Sequence, residues 1–137
     1  IVMNPENEAY FKQHFPLLFR DLGCRDPRKT CLAFGIETGD GWFELLKKAC
    51  EKIEAMLQEM AIGMTEEQIL TTLPHAAQVK QKFATLRFYM EGYDERIEKI
   101  ISEAEEESGR TCENCGAPGR IVGSHWVTTL CEGCQKK

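Results

Sequence analysis

The sequence predicts an α+β fold with a long central helix, a small antiparallel sheet and a C-terminal zinc ribbon. Three observations predict it. Apolar residues recur at helical intervals from Trp42 to Met60, β-branched and aromatic residues concentrate between Ala77 and Glu91, and two Cys-x-x-Cys pairs stand at 112–115 and 131–134. The expected division is an α+β domain over 1–109 and a zinc-ribbon module over 110–137 packed on it.

Asn4-Pro5 opens the first helix, a capping residue followed by proline at the first helical position. Pro16 interrupts that helix, and Leu17, Leu18, Phe19 and Leu22 predict a further helical turn ending at Gly23. Leu32, Phe34 and Ile36 alternate with smaller residues, so 30–37 reads as a strand. Thr38-Gly39-Asp40-Gly41 is turn chemistry, with Asp40 as the expected cap of the central helix. That helix carries Leu45, Leu46, Ala49, Ile53, Met56, Leu57 and Met60 on one stripe, with Glu44, Lys47, Lys48, Glu51 and Glu54 elsewhere. Gly63 stops it, and Thr65 to Gln68 has the form of a capping box.

The stretch 77–91 admits two readings. As a helix, it would place Val79, Phe83, Leu86 and Met90 on one face. As a hairpin bent at Ala84-Thr85, it turns Val79 and Phe83 inward on one arm and Leu86, Phe88 and Met90 inward on the other. Composition favours the hairpin, while the missing turn glycine counts against it. Asp94 then caps a helix with Ile97, Ile100, Ile101 and Ala104 on its apolar side and Gly109 at its end.

Seven cysteines cannot all pair internally. Cys112, Cys115, Cys131 and Cys134 have the spacing of a four-thiolate zinc site, fifteen residues separating the two pairs. Two paired disulfides would suit a secreted protein, but no secretory leader pattern or bilayer-length apolar run is present, so the cytoplasm is the expected compartment. His125 lies between the pairs, yet four thiolates already complete the shell. A shell of that kind leaves no open position for hydrolytic chemistry. The glycines at 35, 39 and 41 match neither nucleotide-loop pattern, and no catalytic set stands out, so the expectation is a protein that is not an enzyme.

The net charge of −5 argues against a surface that coats nucleic acid throughout. Residues 94–107 alone sum to −5, making Glu98, Glu103, Glu105, Glu106 and Glu107 candidates for mimicry of a nucleic acid, against the plainer reading of a solubilising face. Two candidate partner-binding sets remain. Lys80, Lys82, Arg87 and Tyr89 share the outward side of the hairpin, and Arg120, His125 and Trp126 lie in the ribbon.

Gly39-Asp40-Gly41-Trp42-Phe43, then Gln78 to Phe83 running into Leu86 to Tyr89, then Cys112-x-x-Cys115-Gly116-Ala117-Pro118-Gly119 and Trp126…Leu130-Cys131 resemble a family of small bacteriophage and prophage proteins, in the same order over about residues 16–134. Members often carry glycines where Ala84-Thr85 stand, which the hairpin would use. They often carry histidine where Cys134 stands, an exchange zinc tolerates and a disulfide does not. The resemblance implies a host-directed role. The resulting expectation is a non-enzymatic zinc protein that binds and inhibits a host protein or ribonucleoprotein, such as a defence nuclease complex. The alternative is a nucleic-acid-binding zinc ribbon acting in transcription or replication. No membrane partner is expected.

Overall fold

The computed structural model describes residues 1–136 and has the expected α+β architecture. Lys137, the last residue of the expected ribbon module, lies outside the described residues. Helix α1 (Pro5–His14) starts where the Asn4 side chain accepts the Asn7 N–H. Helix α2 (Phe43–Met60) is the central element, burying Leu45, Leu46, Ala49, Cys50, Ile53 and Leu57. Helix α3 (Glu66–Thr72) opens on the full reciprocal capping box of Thr65 and Gln68. Strands β1 (His75–Lys82) and β2 (Thr85–Glu91) form an antiparallel hairpin, and α4 (Glu95–Ser108) lies against both α2 and β2. A second, smaller hairpin of β3 (Arg120–Val122) and β4 (Thr128–Leu130) leads into the short helix α5 (Glu132–Gln135). None of the described helices is long and apolar enough to cross a membrane.

The core lies between α2, α4 and the inner face of the first hairpin. Phe11, Leu18, Phe19, Trp42, Ile53, Leu57, Val79, Leu86 and Ile97 are all fully enclosed there. Phe11 packs edge-on against Phe19 and Phe43 at ring separations of 5.7 and 5.3 Å.

Four expectations are corrected. Residues 30–37 are not a strand: Thr30 caps a 3₁₀ turn over Cys31–Phe34, and Gly35 then reverses the chain at φ +80°. Leu32 and Ile36 are buried while Phe34 is exposed, so the apolar spacing is not two; Glu37 joins β1 in a single parallel bridge to Lys80. Asp40 does not cap α2; its carboxylate accepts the Asn4 N–H and the Asn7 amide, tying α2's approach to the start of α1. Glu54 is buried rather than solvent-facing, because it accepts the N–H groups of Leu17 and Leu18 at 3.3 and 2.9 Å. The turn of the first hairpin is Phe83-Ala84, one residue earlier than expected, and Phe83 points outward, 71% exposed.

Both edges of the β1–β2 ladder are partly occupied. On β2, the Leu86 N–H donates to Ser108 Oγ and the Phe88 N–H to a Glu105 carboxylate oxygen, both from α4. On β1, the Ala76 N–H donates to Leu18 O and the Gln81 N–H to Glu37 O. A two-stranded hairpin is marginal in water, so these contacts and its buried face hold it in place.

Replacing Glu54 by Ala strands two largely enclosed backbone donors. The expected loss is about 2–3 kcal/mol in denaturant unfolding, with Glu54→Gln costing less because its amide oxygen still accepts one of them.

Candidate metal centre

The chain after α4 builds two cysteine turns that face each other. In the first, the Gly116 N–H returns to Cys112 O at 2.9 Å, with Gly116 at φ +85°, and the Cys112 N–H donates to Ala117 O at 2.7 Å. In the second, Cys131 precedes α5, and its sulfur accepts the Cys134 N–H at 3.3 Å. The β3–β4 pairing, Arg120 opposite Leu130, brings the two turns together.

The four sulfur atoms of Cys112, Cys115, Cys131 and Cys134 lie within 4.8 Å of one another, and Cys115 Sγ is 3.6 Å from Cys131 Sγ. A tetrahedral ion with metal–sulfur bonds near ~2.3 Å sets sulfur–sulfur edges of about 3.8 Å, so the donor set fits such an ion. A disulfide needs about 2.05 Å, and all seven cysteines are free. Burial raises the Cys112 thiol, but the N–H groups of Cys131, Cys115 and Asn114 outweigh it and bring its pKa to about 6. The Ala117 N–H favours the Cys115 thiolate, yet the neighbouring sulfurs of Cys131, Cys112 and Cys134 push its pKa up to about 11. Four sulfurs this close compete for protons, and a cation relieves that competition by replacing them.

Backbone contact docks this module on the rest of the molecule. The Gly41 N–H donates to Glu113 O at 2.7 Å, and the Gly39 N–H donates to the Glu113 carboxylate at 2.9 Å. A Cβ on Gly39 or Gly41 would overlap Glu113 and, at 41, the Cys112 carbonyl. The indole N–H of Trp42, buried in the core, donates to Thr111 O at 2.8 Å. Gly39-Asp40-Gly41-Trp42 is therefore the seat of the first cysteine turn. Glu113 itself is enclosed; burial raises its pKa, opposed by the Gly39 N–H and the Thr128 hydroxyl. The second hairpin adds Thr129 Oγ1 donating to Ala84 O at 2.8 Å and the Gln81 amide donating to Val127 O.

That seating brings the two predicted partner-binding sets together. Lys80 and Lys82 from β1, Phe83 from the turn, and His125 and Trp126 from the β3–β4 loop line one groove of about 260 Å³. Trp126 is 93% exposed, and Lys82 Nζ lies 5.4 Å from the centre of the Phe83 ring. Arg87 stands across from Lys80, and Tyr89 two residues further along the same side of the sheet. Arg120 is not brought in; it borders a separate depression beside Pro118 and Glu132. Phe83 was missed by sequence reasoning, which turned it inward. Its signal was the absence of any turn-forming residue between two strand-like runs.

The acidic helix is less free than its charge suggests. Glu105 holds the β2 edge, Glu107 pairs with Lys48 at 2.8 Å, and Glu106 pairs with Arg110 at 3.2 Å. Elsewhere, Cys31 and His75 border one depression, but both ring nitrogens of His75 are engaged. Nδ1 lies 2.7 Å from Arg20 Nη2 and Nε2 lies 3.2 Å from Asp21 Oδ2. Neither nitrogen is left to activate a thiol.

Metal analysis of protein purified without chelator is expected to give one ion per chain. Chelation, or acidification that reprotonates the thiolates, releases it, loosens 110–136 and shifts Trp42 emission to the red, because Thr111 no longer holds the indole. Gly41→Ala is expected to lower metal retention without touching a ligand, since the added methyl overlaps the Cys112 carbonyl.

No family model, curated protein or solved structure matches this chain.

Proposed function

We propose that this chain is a non-enzymatic, phage-type binding protein whose ion is structural zinc and whose recognition surface is the groove between the two hairpins. A shell of four thiolates completes a tetrahedron and leaves no coordination site for a substrate. Zinc suits it better than iron for a role that is purely structural, since zinc brings no redox chemistry. Its task is to hold Gly123 to Val127 at a fixed place beside the hairpin tip. The partner is a host protein or ribonucleoprotein, a defence nuclease complex being the class that the phage resemblance suggests, and the host cytoplasm is where the two would meet.

One observation carries this reading. Phe83 sits at φ +54° followed by Ala84 at φ +75°, positions where glycine and asparagine are the ordinary residues. A bulky aromatic held left-handed costs about 1–2 kcal/mol and gains little burial here, since Phe83 is 71% exposed. Strain of this kind collects at functional positions. It is spent on presenting an aromatic ring next to Lys80, Lys82 and Trp126.

Two measurements test the reading. Phe83→Asn is expected to stabilise the fold by about 1 kcal/mol, a rise of roughly 3 °C in melting temperature, while weakening partner binding. Affinity capture from a bacterial host lysate is expected to retain a partner that Trp126→Ala and the Lys80→Glu, Lys82→Glu double variant both lose. Retention of every captured species by those variants would overturn the assignment of this edge. Iron rather than zinc in the purified protein would overturn the assignment of the ion.

A further inference from the structure

The groove between the hairpin tip and the β3–β4 loop has a chemical character that narrows its occupant, on the reading that it is the recognition surface. Its cations stand on one side, Lys80 and Lys82 on β1, with Arg87 across the ladder from Lys80. Its rings stand out from the surface: Trp126 is 93% exposed and Phe83 71%, with Tyr89 at 46% on the same sheet side as the lysines.

We propose that this groove binds an unpaired nucleic-acid strand, a base stacking on Trp126 and another on Phe83, with the intervening phosphates on Lys80 and Lys82. Three features favour this ligand. Rings that protrude offer open π-faces on which unpaired bases stack. The lysines alternate along β1, with Gln81 between them, so both ammonium groups fall on one side of the strand at a two-residue repeat. The volume of about 260 Å³ is below the ~300–1,000 Å³ of pockets that enclose a whole small molecule, and suits a flat group held from one side.

The charge distribution selects against a duplex. The three cations of this face, Lys80, Lys82 and Arg87, in a chain of net −5 can meet only a few phosphates, whereas a rigid duplex calls for a longer basic surface. A flexible strand reaches the cluster with a few nucleotides and turns away. Its bases are also unpaired, which stacking on side chains requires.

The loop that carries Trp126 is fixed, which lowers the ordering cost of binding. Gly123, at φ +107°, is packed so closely on the Trp126 carbonyl that a side chain would overlap it. At the other end of the loop the Val127 carbonyl accepts the Gln81 amide at 3.2 Å. Trp126 is thus presented by a backbone held at both ends, and the cysteine turns hold that backbone.

The test uses the full metal-loaded chain and labelled oligomers of roughly ten nucleotides of dT, dA, rU and rA, read by anisotropy and by tryptophan emission. Trp42 is buried and Trp126 exposed, so quenching on titration reports the groove. The expected results are binding of single strands with quenching, and a log–log salt slope of about −1.4 for two phosphate contacts. Trp126→Ala is expected to weaken binding about tenfold or more, and Trp126→Phe less. Lys80→Gln with Lys82→Gln is expected to flatten the salt dependence. The four oligomers show whether ribose or deoxyribose is preferred.

Absence of binding to all four at about 50 mM salt overturns the proposal, as does equal binding to a duplex of the same length. Binding that Trp126→Ala leaves unchanged overturns it too. If the oligomers fail while nuclease-treated lysate still yields a protein that Trp126→Ala loses, the strand proposal falls and the functional reading stands. If both fail, both fall.

Discussion

The close approach of backbone to backbone between Cys112-Glu113 and Gly39-Gly41 is the constraint on which the rest of the molecule depends. It exists because no side chain intervenes on either glycine, and because the Glu113 carboxylate has a buried N–H to accept. Through it the cysteine turns set the position of Trp42, which heads α2, and hence of the core that α2 organises. The same contact runs outward: β4 follows Glu113 through the Glu113 N–H to Thr129 O bond, and Thr129 in turn holds the hairpin tip at Ala84. A four-sulfur site at the surface is thereby joined to the hydrophobic centre by a short series of hydrogen bonds.

That continuity explains why two basic and aromatic sets, separated by more than forty positions along the chain, form one groove. Neither set would constitute a surface alone. Lys80 and Lys82 without the ribbon loop are a solvated strand face, and Trp126 without the hairpin is a ring on a short loop. The unfavourable backbone at Phe83 makes sense only in that shared setting, where the ring joins the cations. The acidic helix serves the fold: Glu105 and Ser108 satisfy strand donors, and Glu107 ties α4 to α2.

Much of this was legible in the residues. The capping signals at Asn4, Thr65 and Asp94 act through local chemistry, and each marks a helix start in the structure. The period of α2 and the Cys-x-x-Cys spacing are likewise short-range patterns. What escaped was tertiary in origin. Glu54 looked like an exposed helix residue because its partners, the N–H groups of Leu17 and Leu18, belong to a distant loop. Asp40 had the right type and place for a cap, yet α1 recruited it first. The Phe83-Ala84 turn uses residues that local preference disfavours, so no reading of propensity would place it. The alternation at 32–36 imitated a strand because a 3₁₀ turn followed by a glycine reversal buries positions four apart.

The rims of the first hairpin are largely covered. On β2 the Leu86 and Phe88 N–H groups end on α4 side chains, and on β1 those of Ala76 and Gln81 end on Leu18 and Glu37. Ladder extension by an extra polypeptide is therefore hindered on both flanks, which disfavours fibril seeding and strand exchange between copies. It also leaves a docking partner the outward face and the tip of the hairpin, where side chains rather than ladder donors make the encounter.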